Sequence, residues 1–140
     1  MGIRDRCETG HFATLGRRMG GRLGLAAEFI PGDGRHGADP AAIAAHLAAD
    51  AGHRYRAVCV VHNETSTGVT TLVDEVRRAI DRANHPALLM VDTISSLGSI
   101  DYRHDEWRGG ARAAGGAERG AACVAGWVAG GEGGAGGFST

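Results

Sequence analysis

The chain has 140 residues, about the size of one domain, and a formal net charge of −1, which offers no electrostatic footprint for nucleic acid or another polyanion. No apolar run approaches the ~20 residues needed to cross a bilayer, and Met1–Arg6 lacks the apolar core of a signal peptide. The expectation is therefore a protein with no nucleic-acid and no membrane partner. Three cysteines, Cys7, Cys59 and Cys123, are odd in number and far apart, which fits a reducing, cytoplasmic setting better than a disulfide framework. All fifteen basic residues are Arg; no Lys occurs, which removes every chemistry that requires an ε-amino group.

Met1 to Gly10 shows no clear period and is expected to be a frayed start. Phe12, Leu15, Met19 and Leu23 recur at helical spacing, with Arg17, Arg18 and Arg22 toward solvent. Gly16, Gly20 and Gly21 weaken that helix by ~1 kcal/mol each relative to Ala. Ala26 to Ile30 predicts a short strand, ended by Pro31-Gly32-Asp33-Gly34. Asp39-Pro40 is a helix start, with a capping carboxylate and Pro at the first helical position; the helix runs to about Ala51, and Gly52 stops it.

Ala57 to His62 is the clearest strand, apolar almost throughout, as in a parallel sheet covered on both faces. Cys59 lies within it and is read as a small core side chain. A polar loop, Asn63 to Gly68, follows. Leu72, Val73, Val76 and Ile80 mark a third helix, closed by His85-Pro86. Ala87 to Asp92 is a buried strand that ends abruptly in a carboxylate, and small polar residues then lead to Gly98.

Strands alternating with helices imply parallel pairing through right-handed crossovers, hence an α/β fold. All parallel strands point one way, so the loops at 63–68 and 92–98 emerge on one edge of the sheet, where such folds bind ligands. Asp92 is where a site residue is expected, although an Asp in that position serves equally well to cap a turn. After Trp107 the composition becomes mostly Gly and Ala. Residues 108–140 are expected to be a disordered tail, because they offer too little apolar surface to offset the entropy of ordering.

Two stretches carry a resemblance: His62-Asn63-Glu64-Thr65-Ser66-Thr67-Gly68-Val69 and Leu89-Met90-Val91-Asp92-Thr93-Ile94-Ser95-Ser96-Leu97-Gly98. Gly10-His11-Phe12, Ile30-Pro31-Gly32-Asp33 and Ser99 to Trp107 extend it. In order and spacing these segments resemble the class V pyridoxal-phosphate-dependent aminotransferases, in the serine–glyoxylate and alanine–glyoxylate branch, over residues 9–107. The resemblance implies part of a fold-type-I large domain, with a mostly parallel sheet and helices on both faces. It divides the chain into such a piece at 1–107 and a Gly/Ala-rich tail at 108–140.

It also implies roles. Asp92 matches the aspartate that pairs with the pyridine nitrogen of pyridoxal phosphate, and Thr65 matches the hydroxyl residue that hydrogen-bonds the cofactor. A carboxylate keeps that nitrogen protonated and makes the ring a better electron sink. His62 and Glu64 are given a mainly structural role. Small amino and keto acids would be the substrates, with transfer from serine or alanine to glyoxylate, and intact relatives would be homodimers.

The chain departs from the family in four places. The Schiff-base lysine, on the strand after the one ending at Asp92, has no counterpart, since Arg108-Gly109-Gly110-Ala111-Arg112-Ala113 stands there. No catalytic residue is therefore assigned. The glycine-rich phosphate-binding segment and the C-terminal small domain are missing as well. Gly16 and Gly34 fall where a bulky aromatic is expected, which predicts looser packing. The reading is a truncated aminotransferase piece, inactive alone, with a frame shift after Trp107 as the origin of the tail. The alternatives are a small doubly wound nucleotide-binding or regulatory module and a non-functional product. Seven scattered histidines show no ligand spacing backed by a carboxylate or Cys, so no metal site is assigned.

Overall fold

A computed structural model describes residues 3–107, 111–113 and 127–129. In chain order the elements are β1 (Ile3–Cys7), α1 (His11–Arg22), β2 (Ala27–Ile30), α2 (Pro40–Ala49), β3 (Tyr55–Val61), β4 (Asn63–Glu64), β5 (Val69–Thr70), α3 (Val73–Arg82), β6 (Leu88–Asp92), β7 (Ala111–Ala113) and β8 (Trp127–Ala129). The main sheet has the order β2-β1-β3-β6-β7-β8, and β4 and β5 form a separate two-stranded ladder. Every neighbouring pair from β2 to β7 is parallel, and only β8 runs antiparallel to its neighbour.

The chain leaves β1 for β2 in one direction, then returns past β1 to β3 and on to β6. With right-handed crossovers, that reversal puts α1 on one face of the sheet and α2 and α3 on the other. The reversal point lies between β1 and β3.

The α2/α3 face holds the core. Ile43 and Leu47 of α2, Val76 and Ile80 of α3, Val58 and Val60 of β3, and Leu89 and Val91 of β6 are all buried in one cluster. Strand alternation sends Ala57, Cys59 and Met90 to the opposite face, where they form a small separate cluster. Cys59 is thus in the core as expected, with its Sγ 3.9 Å from Met90 Sδ. The cap of α2 is also as read: Asp39 Oδ1 accepts from the Ala41 N–H at 2.8 Å, with Pro40 in the first turn. In α3, Asp74 and Glu75 in the first turn and Arg82 in the last complement the helix dipole. Leu72 precedes α3 as its cap residue and is exposed, so it does not join the core.

Two expectations are corrected. The stretch read as frayed contains β1, an interior strand paired on both sides with β2 and β3. Its sequence shows no strand period, because only Ile3 and Cys7 in it are apolar, and pairing with two neighbouring strands places it in the sheet. The apolar stripe of α1 does not face the core: Phe12, Leu15, Met19 and Leu23 are all exposed, and Ala13 is the helix's buried residue. Within the tail, β7 pairs with β6 and β8 pairs with β7. The expected disorder of the rest of 108–140 lies outside the described residues. As for the missing aromatics, Gly34 has a φ of 67°, a conformation suited to Gly, and a Cβ there would meet Thr67 Cγ2 at an ordinary contact distance of 4.0 Å.

Candidate functional site

β3 and β6 run in register from Ala57↔Leu88 to Val61↔Asp92, so both end on one edge. The two polar loops that leave them are tied together there. His62 N–H donates to the Asp92 carbonyl at 2.9 Å. Asn63 Nδ2 donates to Ser95 Oγ at 2.9 Å, and the Ser95 hydroxyl returns a bond to the Asn63 carbonyl at 2.9 Å. His62 Nδ1 shares a hydrogen bond with Ser96 Oγ at 2.9 Å. Thr93, Ser96 and His62 are buried, so these bonds hold the loops as one body.

Asp92 is half-buried at the end of β6. Its Oδ1 accepts from the Ile94 N–H at 3.1 Å, the turn-capping bond that its position allowed. Thr65 lies in the neighbouring loop and is exposed. The structure therefore brings the elements bearing both predicted site residues to the carboxyl edge of the sheet. His62 turns the other way. Its ring packs against Tyr102 and Trp107, with centroids 5.4 and 6.2 Å apart. Burial pushes its pKa down, partly opposed by Asp101, which favours the neutral form of this enclosed imidazole.

A further group at this edge was not assigned a site role from sequence. Glu64 is fully buried. Its Oε1 accepts from Phe12 N at 3.3 Å, Ser66 N at 3.3 Å and Ser66 Oγ at 2.6 Å, and its Oε2 accepts from Ala13 N at 3.1 Å. Ser66 Oγ also accepts from His11 N at 2.9 Å. Burial alone would raise the Glu64 pKa, but the bonds from Ser66, Ala13 and Phe12 outweigh it and hold the carboxyl below its ordinary value. Glu64 and Ser66 thus cap the start of α1 at the reversal point of the sheet, where open α/β sheets form ligand crevices. The motif places an acid after the strand; nothing in its spacing says that the acid faces a helix more than fifty residues earlier.

A cavity of about 330 Å³ lies further along the same edge, lined by residues including Cys7, Glu8, Asp33, His36 and Asp39. Its Asp33 carboxylate is held by the N–H groups of Arg35 and His36 and by the His36 ring, and Asp39 by its capping bond. Among the described residues, no three His, Cys, Asp or Glu side chains gather as a metal-binding group, and no helix is long and apolar enough to cross a membrane.

The edge, the parallel order and the two loops define a class: this is the fold of the large domain of fold-type-I pyridoxal-phosphate aminotransferases. The structure aligns with an alanine–glyoxylate aminotransferase from Nostoc sp. at a TM-score of 0.72 and 25% identity, covering 90% of this chain and 32% of that one. A ureidoglycine–glyoxylate aminotransferase from Bacillus subtilis gives 0.72 at 24% identity, covering 81% and 28%. In sequence the chain is 48% identical over 99 residues to a serine–glyoxylate aminotransferase from Methylorubrum extorquens, covering 71% of this chain and 25% of that protein. It is 59% identical over 61 residues to an L-aspartate–glyoxylate aminotransferase from Paracoccus denitrificans, covering 44% and 15%. No family profile matches the chain. Over about 70% of its length the chain is thus similar to serine–glyoxylate aminotransferases, and its structural neighbours are class V aminotransferases. It spans about a quarter of the length of the serine–glyoxylate relatives it matches.

Proposed function

We propose that this chain is a piece of a serine–glyoxylate-type aminotransferase that keeps the cofactor-holding edge and cannot carry out amino transfer alone. The observation that carries this reading is a mismatch at one site. Asp92 and Thr65 stand on tied loops at the carboxyl edge, while no lysine occurs among the 140 residues. The chemistry of the pair, a carboxylate and a hydroxyl, suits a pyridoxal-phosphate ring held without a covalent bond, and no lysine is present to tether one.

When bound, that cofactor supplies an electron sink for the substrate carbon. Asp92 would hold the proton on the pyridine nitrogen through its carboxylate, and Thr65 would donate or accept a hydrogen bond through its hydroxyl. His62, the histidine on the loop beside Asp92, does not replace the missing amine in moving a proton at the substrate carbon: it is enclosed by Tyr102, Trp107 and Ser96 on the far side of the sheet. An intact protein of this kind would act on small amino and keto acids, as a homodimer in the cytoplasm. The names of the relatives, which include serine, L-aspartate and glyoxylate, support that substrate class.

The tail supports a change of reading frame after Trp107. The strand beside β6 is there as β7, but its sequence is Ala111-Arg112-Ala113 and carries no lysine. Translating the adjacent frames of the gene is expected to yield a lysine-bearing strand just downstream, and no such strand in any frame would refute the frame change. For function, the purified chain is incubated with serine, glyoxylate and pyridoxal phosphate. Hydroxypyruvate and glycine are not expected to form beyond a control without the chain, and the absorbance spectrum is expected to be that of the same control plus protein. Turnover by the pure chain would overturn the proposal.

A further inference from the structure

We propose that Glu64 is a positioning residue for Thr65, acting by locking the loop at 63–68 onto the first turn of α1. This rests on the reading of Thr65 as a cofactor contact. The first three N–H groups of a helix have no partner within it. In α1 those of His11, Phe12 and Ala13 are taken by Ser66 Oγ, Glu64 Oε1 and Glu64 Oε2. The residue at the cap, Gly10, has no side chain to do this itself. Nor is there room for one, since a Cβ on Gly10 would stand 2.6 Å from Glu64 Cγ and from Ser66 Oγ. The loop therefore presses directly on the helix backbone.

Two consequences follow for Thr65. Glu64 and Ser66, on either side of it, are both committed to α1, and Thr65 is left exposed between them. Its neighbours fix the backbone from three sides. Asn63 is bonded to Ser95 in the loop that follows Asp92, Thr67 Oγ1 donates to the Thr9 carbonyl at 3.1 Å, and the amides of Thr67 and Gly68 close on the Glu64 carbonyl at 3.2 and 2.8 Å. Removing the carboxylate frees the Phe12 and Ala13 N–H groups and leaves Ser66 Oγ on the His11 N–H as the loop's remaining bond to the first turn of α1, so Thr65 is held less firmly relative to Asp92.

The test uses the full purified chain in four forms: parent, Glu64→Ala, Thr65→Ala and the double variant, with Glu64→Gln as the conservative control. Two readouts are taken: the affinity for pyridoxamine 5′-phosphate, a probe that needs no Schiff base, and the Thr65 side-chain rotamer from NMR three-bond couplings. Glu64→Ala is expected to weaken the probe about tenfold, the size of one good hydrogen bond, and to average the Thr65 rotamer. Glu64→Gln keeps acceptance at Oε1 and loses it at Oε2, so it is expected to fall between. Because Glu64 acts through Thr65, the double variant is expected to lose no more than about twofold beyond Thr65→Ala.

Fully additive losses, or a Thr65 rotamer as fixed in Glu64→Ala as in the parent, would overturn the proposal. If the parent does not bind the probe at all, the cofactor reading fails by itself, and the rotamer still decides the positioning role. If Glu64→Ala unfolds, Glu64→Gln decides it: an averaged rotamer with an unchanged melt supports the proposal, and a fixed one sinks it.

Discussion

The two faces of the sheet are held in different ways. On one face, α2 and α3 bury a continuous aliphatic cluster against β3 and β6. On the other, α1 buries only Ala13 and leaves Met19 and Leu23 at 56% and 69% exposure. What secures α1 at its start is polar: three backbone N–H groups meet a buried carboxylate and a serine hydroxyl. The difference shows that helices of similar pattern are not held by similar forces. Dispersion and apolar burial fix α2 and α3, whereas directional hydrogen bonds at one end fix α1.

Four changes would sharpen or break that contrast. The largest effect is expected from Leu89→Ala in the α2/α3 core. Leu89 is fully buried, and its truncation should cost about 2–5 kcal/mol, read as a lower denaturation midpoint. Glu64→Ala should cost less, about 1–3 kcal/mol, because buried donors lose their acceptor. Hydrogen exchange should rise chiefly in the first turn of α1, with α2 and α3 protected. Equal loss of protection in all three helices would dissolve the distinction between the faces.

A third effect is set by pH at the opposite end of the sheet. Asp50 is buried and accepts from Tyr55 N at 2.8 Å and from His85 Nε2 at 3.3 Å. The His85 ring accepts at Nδ1 from Ala87 N at 3.1 Å, which leaves its Nε2–H to donate. Burial works to raise the Asp50 pKa, but the Tyr55 and Arg54 backbone bonds and the His85 and Arg54 side chains outweigh it and lower it from 3.8 to about 2. A lowered carboxyl pKa stabilises the fold fully above its unfolded value, and that contribution is lost as acid is added. The midpoint of unfolding should therefore fall between about pH 4 and pH 2, and Asp50→Asn should flatten that part of the curve. The smallest effect belongs to Met19→Glu on the exposed stripe of α1, within about 0.5 kcal/mol. A large loss of stability there would mean that the stripe is covered after all.

Much of the α2/α3 half was legible in the sequence. Val58, Val60, Leu89 and Val91 declare a buried strand pair because an apolar run has few other uses, and Asp39-Pro40 announces its helix because the cap chemistry is local. The edge carrying Thr65 and Asp92 was legible for the same reason, since parallel strands must end together. β1 was not, because Ile3 and Cys7 are too few to show a period and its strand state comes from backbone pairing with β2 and β3. The outward direction of the α1 stripe is not in the sequence either, because spacing shows that a helix has an apolar side and does not show where that side points.

By itself the sequence determined the alternation of strands and helices, the edge on which the loops emerge, the likeness to serine–glyoxylate aminotransferases, and the absence of any lysine to tether a cofactor, since each of these is written in local pattern or composition. Only the tertiary structure decided that Glu64 reaches back to α1, that His62 and Ser96 lock the two loops, and that β1 lies inside the sheet. Those contacts join residues tens of positions apart. They exist because chain reversal between β1 and β3 leaves unpaired helix donors facing a buried acid, and no periodicity in the chain encodes such a meeting.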